Sequence, residues 1–346
     1  MNKLVSRKTY FFNIFSFRFI YFIGGYVKKF LFLIFILLFS SCNYEVKQTS
    51  IVASSYIVIE QSTNKILQGA NYDIQRSVAS ISKIMSAIIA IENNDLEKIV
   101  IVPSEINEVY GSSMYLKVNQ EISIKDLLYG LLLRSGNDAA ITLAIATSGN
   151  VASFVDLMNE KAEKLNLKNT LFSNPHGLDK DGIGNISTSY DMAIIYSYCM
   201  DNEVFKEITS SKTYSNYVNK NKLVRNYQYC TGGKTGFTDK AKRTLVTSAS
   251  KDGINLIIVT LNCGNDFETH KNLYEYYFNN YQSIKILNKG ENIFDGRKIN
   301  LNKDYYFISD EKELSLFYQI NYNKHMIYVT LLDKNKRVVD YAEICF

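Results

Sequence analysis

Ser80 and Lys83 stand three residues apart at the head of an apolar run, Ser77-Val78-Ala79-Ser80-Ile81-Ser82-Lys83-Ile84-Met85-Ser86-Ala87-Ile88-Ile89-Ala90-Ile91. A serine hydroxyl is a weak nucleophile until a base takes its proton. A lysine can be that base near pH 7 only if its pKa is brought well down from about 10.4. Burial and a second cation nearby both push that way. Ile81, Ile84, Met85, Ile88 and Ile89 recur with the helical period. Lys83 shares the side of Ser80, off that stripe. No charge follows Lys83 until Glu92, so the pattern predicts a buried central helix with Ser80 and Lys83 at its exposed mouth. The start of such a helix also offers free N–H groups and a partial positive charge. The same four-residue pattern recurs at Ser248-Ala249-Ser250-Lys251. There it runs into Asp252-Gly253 and reads as a surface hairpin rather than a site.

Two further groups carry polar side chains suited to the same chemistry. Ser135-Gly136-Asn137 falls between helical stretches, and Lys234-Thr235-Gly236 opens an extended one. Each is weak alone. Ser135 and Asn137 could simply cap a helix, and Lys234 could be a solvated strand residue. Ser-x-Asn also occurs at Ser62-Thr63-Asn64 and Ser148-Gly149-Asn150, whereas Lys-Thr-Gly occurs once. His176 reads as a loop-packing residue and Asp239 as a turn residue.

The elements that must position these groups follow from the patterning. Ser55–Glu60 and residues 65–68 read as strands joined by a turn at 62–64. Residues 99–102 and 114–116 read as short strands and loops. From Ser123 the period is helical, through segments at 139–147 and 151–165, with a Pro- and Gly-bearing loop at 172–178. Another helix begins near 187–192, where Ser or Thr is available to cap it. After residue 225 strands return at 231–238, 244–249 and 255–261, before a closing helix at 269–277. Strands bracketing a helical middle argue for an α+β domain with one sheet and a helical lobe. From 282 to 346 the chain reads as a small separate β domain, a spacer or docking surface without chemistry of its own.

Composition narrows the function further. With 47% hydrophobic and 21% charged residues the chain is a folded protein. The net charge of +5 is spread among interspersed lysines and acids, so no dedicated nucleic-acid surface is expected. Three distant histidines and no zinc-type cysteine spacing argue against a metal site, and no cofactor is expected. Five scattered cysteines do not suggest a disulfide framework, and Cys199, Cys230, Cys263 and Cys345 read as small buried hydrophobes. Residues 28–42 join two lysines, an apolar run and Ser40-Ser41-Cys42, the pattern of a bacterial export signal. Cys42 would carry a lipid if the segment is a lipoprotein signal; an uncleaved membrane anchor and simple secretion are the alternatives. All three place the remainder outside the cytoplasm. Residues 1–27 fit poorly and are consistent with a start of translation at Val27.

Ser80-x-x-Lys83, Ser135-Gly136-Asn137 and Lys234-Thr235-Gly236, in that order and context, resemble the serine penicillin-recognising enzymes. Within that group the chain is similar to the D-alanyl-D-alanine carboxypeptidases of cell-wall metabolism, peptidase family S11. The phrases carrying this are residues 126–140, Asn174-Pro175-His176-Gly177-Leu178 and Lys234-Thr235-Gly236-Phe237-Thr238-Asp239. The likeness covers roughly residues 53–280. It implies a β-lactamase/transpeptidase-like catalytic domain at 43–281, an antiparallel sheet with a helical lobe, followed by the β domain.

The resemblance also implies roles. Ser80 would attack the terminal D-Ala-D-Ala bond of a peptidoglycan stem peptide, and Lys83 would take its proton. Ser135 would relay a proton to the leaving D-alanine, and Asn137 would bind the substrate amide. Lys234 and Thr235 would hold the terminal carboxylate, and Lys234 would help keep Lys83 neutral. Gly236 would let substrate lie along the strand, and Phe237 with Ser80 would supply the oxyanion hole. β-Lactam antibiotics would be covalent inhibitors, and the membrane would be met through the N-terminus in place of the relatives' C-terminal helix. Lys242 and Arg243 stand where relatives often have glycine and an aromatic residue. Asp266 stands where they often have an arginine for the carboxylate, and Arg243 is a candidate substitute for it. A β-lactamase or transpeptidase of the same fold, or a non-catalytic cell-wall-binding lipoprotein, are the competing readings.

Overall fold

The structure is a computed structural model and describes residues 51–346 apart from 180, 181, 183 and 312. The expected signal and Cys42 lie outside the described residues. The first hairpin is β1 (Ser55–Glu60) and β2 (Ile66–Ala70). A tight turn at Ala79–Ser82 leads into α1 (Lys83–Asn93). The helical lobe continues with α2 (Ile124–Tyr129), α3 (Asn137–Ser148), α4 (Val151–Lys164), α5 (Ser189–Cys199), α6 (Glu203–Ser210) and the short α7 (Lys222–Asn226). The chain then returns to strands as β3 (Cys230–Thr238), β4 (Lys242–Lys251) and β5 (Ile254–Leu261), and α8 (Asp266–Asn280) closes this part.

The five strands form one antiparallel sheet in the order β2-β1-β5-β4-β3. Side chains alternate between its faces, and the alternation divides the core in two. Ile57, Ile59, Val246, Ile257, Val259 and Leu261 join the helical-lobe core around α1. Val58, Leu245, Ala249, Leu256 and Ile258 pack with Leu273, Tyr274 and Tyr277 of α8. This explains why β1 and β5 read as unbroken apolar runs: both faces are covered.

Strands around a helical lobe are the α+β architecture expected from the sequence. The helix ends carry the side chains that suit them. Ser123 accepts from Asp126 N, Asn150 from Ser153 N, Thr188 from Asp191 N and Asn202 from Phe205 N. Three expectations need correction. The segment holding Ser80 is a turn of 3₁₀ helix, and the α-helix begins only at Lys83. Ser248 is not at the surface; it lies buried on β4, bonded to Thr231 and Tyr196, because the hairpin turn follows it by four residues. Cys345 is exposed and Cys230 only partly buried, whereas Cys199 and Cys263 are buried.

Beyond α8 come β6 (Gln282–Leu287), β7 (Gly290–Phe294), β8 (Arg297–Leu301), β9 (Tyr305–Ser309), β10 (Leu314–Asn321), β11 (Met326–Asp333) and β12 (Val338–Cys345). They pair as β6-β9, β7-β8 and β10-β11-β12 and surround a third apolar cluster that includes Phe307, Ile327, Val329 and Leu331. Ile308 packs instead with α8, and Tyr306 N donates to Ser62 Oγ in the first hairpin. The described residues cluster as one compact unit.

One tight contact shapes the cleft side of the lobe. A methyl group at Gly130 would sit 1.8 Å from Met114 Sδ and 2.4 Å from its Cγ. Met114 is itself tied down, its N–H donating to Asp138 at 3.0 Å. Gly130→Ala is expected to cost about 1–3 kcal/mol by overpacking. In the Met114→Ala background that cost should largely vanish, as read from a double-mutant cycle in urea. Additive effects would contradict this account of the glycine.

Candidate active site

Ser80 and Lys83 bracket the junction between the 3₁₀ turn and α1. In a 3₁₀ turn residues i and i+3 eclipse, and Lys83 Nζ lies 3.0 Å from Ser80 Oγ. The residue before Ser80 is strained: Ala79 sits at φ +51°, a left-handed conformation rare outside glycine. The loop after α4 holds it there. Gly177 has φ +84°, and a Cβ on it would lie 2.1 Å from Ala79 O. The loop is fastened in turn by Asn174 Oδ1, which accepts from Gly177 N at 2.6 Å, and by Pro175 O, which accepts from Ser86 Oγ at 2.6 Å.

Lys83 is not at an exposed mouth; it is fully buried, while Ser80 is partly exposed. Three neutral groups surround its amine: Ser80 Oγ, Asn137 Oδ1 at 2.7 Å and the carbonyl of His176. Ser80 Oγ is also 3.3 Å from that carbonyl. His176 thus contributes through its backbone. Its ring is half-buried, accepts from Leu178 N at 3.1 Å through Nδ1, and has its pKa pushed down to about 3 by desolvation and by the charge of Lys83.

Ser135 and Asn137 reach the site through an irregular passage between α2 and α3. Residues Gly130–Arg134 form a wider π-helical turn, a feature frequent at functional sites. Ser135 then adopts φ +64°, and Asn137 opens α3. Both are buried. Asn137 Nδ2 donates to Tyr110 O, so the side chain already clamps Lys83 to the 110–116 loop. One amide hydrogen and one lone pair remain for a substrate. Asp138 fixes the same loop by accepting from the N–H groups of Met114 and Leu116 at 3.0 and 3.1 Å.

β3 closes the other wall. A Cβ on Gly236 would lie 3.0 Å from Ser80 N and 3.1 Å from Ile81 N. Only glycine lets the strand pass this close to the amides that flank the serine. Lys234 is buried beneath, its amine donating to Thr235 O at 2.8 Å. Above it a cleft of about 900 Å³ is lined by Ser80, Ser135, Asn137, Thr235, Gly236 and Phe237, among others. All three sequence groups therefore converge on one place. Sequence reasoning missed the His176 carbonyl, Asp138 and Lys220, which bonds Ser112 Oγ at 2.7 Å on the cleft rim.

The electrostatics match the burial. Lys83 has its pKa held well below the ordinary lysine range, first by burial, then by the positive charges of Lys234 and Lys220; Asp138 opposes this weakly. Burial, and then Lys220, bring Lys234 down to about 7. Lys220 is lowered too, by burial and by Arg134. A neutral amine within hydrogen-bond reach of a serine hydroxyl can accept its proton, and backbone N–H groups at Ser80 and along β3 can receive developing negative charge. Among the described residues no cluster of three or more His, Cys, Asp or Glu side chains could hold a metal ion.

A family model described as D-alanyl-D-alanine carboxypeptidase (peptidase S11) matches residues 43–265. The chain is 32% identical over 260 residues to the D-alanyl-D-alanine carboxypeptidase DacF of Bacillus subtilis, covering 70% of this chain and 66% of that protein. It is similar in structure to penicillin-binding protein 5 of Haemophilus influenzae, with TM-score 0.73 and 27% identity, covering 85% of this chain and 96% of that one. It is also similar to the Streptomyces K15 DD-transpeptidase, with TM-score 0.62 and 27% identity, covering 66% and 97%.

The charge state of Lys83 is directly measurable. ¹³C NMR of reductively methylated lysines should show one amine titrating well below the usual range. In Lys234→Met, loss of the neighbouring charge should raise the Lys83 pKa. An ordinary lysine titration for Lys83, or no rise in the variant, would contradict the electrostatic account.

Proposed function

The chain belongs to the D-alanyl-D-alanine carboxypeptidase family, and we propose that it removes the terminal D-alanine from peptidoglycan stem pentapeptides through an acyl-enzyme on Ser80. The observation that carries this reading is the buried Lys83 amine 3.0 Å from Ser80 Oγ. Ser80 Oγ attacks the carbonyl carbon of the D-Ala-D-Ala bond as Lys83 takes its proton. The N–H groups of Ser80 and Phe237 receive the oxyanion, an arrangement in which one donor is often worth about 3–4 kcal/mol. Ser135 hands its proton to the leaving nitrogen and takes up the one held by Lys83, the C–N bond breaks, D-alanine departs, and Lys83 is neutral again. Water, deprotonated by Lys83, then cleaves the ester and restores Ser80.

Asn137 offers its remaining hydrogen-bond capacity to the substrate amide, Lys234 with Thr235 receives the terminal carboxylate, and Gly236 leaves room for the peptide along β3. β-Lactams acylate Ser80 by the same step and leave slowly. An amine can replace water as acceptor, and the likeness to a DD-transpeptidase favours transfer as the second reading. The enzyme works outside the cytoplasm, held to the membrane by a lipid on Cys42 or by an uncleaved N-terminal anchor. The strands of residues 282–346 serve as a spacer or docking surface for the catalytic part.

Two measurements test this reading. Ser80→Ala should lose covalent labelling by a fluorescent penicillin and lower D-alanine release from a pentapeptide by at least about 10³-fold. Labelling that survives in this variant would refute the assignment. The pH profile should follow Lys234, whose pKa is about 7. Below that value its cation is present for the carboxylate; above it the charge is lost, so kcat/KM should fall as pH rises through about 7. Lys234→Arg, whose charge persists, should move that limb upward; an unmoved limb would contradict the role.

A further inference from the structure

Asp179 lines the same cleft as Ser80 and Phe237, and its carboxylate bridges the two segments that carry them. Oδ1 accepts from Ser77 Oγ at 3.0 Å, three residues before Ser80. Oδ2 accepts from Thr238 Oγ1 at 2.6 Å, one residue after Phe237. The second is the short kind of bond that a hydroxyl makes to a carboxylate. Thr238 Oγ1 accepts in turn from Ala241 N at 3.1 Å, which keeps its own proton directed at Asp179.

The backbone shows why such a bridge is needed. β3 is an edge strand of the sheet, and Phe237 lies opposite Arg243 of β4. Arg243 O accepts from Cys263 N at 3.1 Å, so Arg243 turns its backbone groups away from β3. Opposed residues in an antiparallel ladder alternate between bonded and non-bonded pairs. The Phe237 N–H therefore points out from the edge of β3 and is not claimed by β4. A strand end paired on one side only needs ties to keep that N–H in place. One tie is Thr244, opposite Gly236, whose Oγ1 donates to Val78 O at 3.0 Å. The other is Asp179. Phe237 lies between the two.

The loop that carries Asp179 is itself anchored. Asn185 Oδ1 accepts from Ser173 N at 2.7 Å and from Asn174 N at 3.1 Å, and Asn185 O accepts from Val78 N at 3.2 Å. A Cβ on Gly184 would lie 2.1 Å from Asp179 Oδ1, so the returning chain passes directly against the carboxylate. Both carboxylate oxygens are engaged by hydroxyls, which suits a brace rather than a general base.

We infer that Asp179 is a positioning residue for the oxyanion hole: by bridging Thr238 to Ser77 it fixes the separation of the Phe237 and Ser80 N–H groups. This rests on the acyl-enzyme reading of Ser80. It gives the loop after α4 a part in transition-state stabilisation besides its cover of Lys83.

The test is stopped-flow acylation of the full chain by a fluorescent penicillin, which separates the encounter Kd, the acylation rate constant and the fraction of protein that reacts. A folding defect lowers the fraction, whereas a displaced donor lowers the rate constant. Asp179→Ala should lower the rate constant about 10–100-fold and leave the encounter Kd within about twofold. Asp179→Asn can still bridge two hydroxyls, accepting through its oxygen and donating through its nitrogen, and should lose no more than about threefold. Thr238→Val should match Asp179→Ala, and the double variant should lose little more than either, because both changes break one bridge. In the infrared, the ester carbonyl band of the acyl-enzyme should move to higher wavenumber in Asp179→Ala as its hydrogen bonds weaken. An Asp179→Ala rate constant within about twofold of the unaltered protein, an unmoved carbonyl band, or an Asp179→Asn loss as large as that of Asp179→Ala would overturn the inference while leaving the acyl-enzyme reading intact. An unaltered protein that is not acylated at all would defeat that reading, and the inference with it.

Discussion

A lysine amine taken fully out of water with no carboxylate bonded to it is the constraint on which this molecule turns. Among the described residues, Lys83 has only a hydroxyl, an amide oxygen and a backbone carbonyl as hydrogen-bond partners. Burying an unpaired charge costs several kcal/mol even after relaxation, so the site favours the neutral amine. Lys234 and Lys220 deepen that preference by repulsion. What would be a defect in a structural core leaves an amine able to accept a proton 3.0 Å from a serine hydroxyl.

The surrounding fold makes this state unavoidable. α1 is buried almost throughout, so Lys83 cannot swing into solvent without breaking the central core. The His176 loop covers it on one side, pinned by Asn174 and Ser86. Asn137 covers it on another and is itself bonded to Tyr110 O. β3 supplies the remaining wall, and Gly236 is what allows it to come close enough. Left-handed backbone at Ala79 and Ser135 marks the two places where the chain bends to present its serines.

Much of this was legible in the sequence, for identifiable reasons. The isoleucine period announced a buried helix, and a lysine at its head had to be paired or neutral. The three-residue spacing of Ser80 and Lys83 survived the change from α to 3₁₀ geometry, because both bring i and i+3 together. The strand pattern announced the sheet, and the apolar runs of β1 and β5 now trace to cores on both faces. Less legible was anything carried by backbone groups or irregular loops. The His176 carbonyl leaves no mark in residue type. Lys220 sits among asparagines that cap α7 and tie a turn, and no periodicity points from there to the cleft. The depth of Lys83 was also misjudged, since its cover comes from segments distant in the chain. The duplicate pattern at Ser248 shows the converse: a plausible motif on a strand, buried where no amine of the described site bonds to it.

The most direct test of the neutral-base account is single-turnover acylation of Lys83→Arg by a penicillin, followed by intact-protein mass spectrometry across pH. Arginine keeps a cation in place but does not give up its proton in proteins. The account requires that this variant stay unacylated, from acid to about pH 10, under conditions where the unaltered protein is labelled at pH 7. Labelling of the variant at a rate near that of the unaltered protein would show that Ser80 does not depend on a deprotonated neighbour.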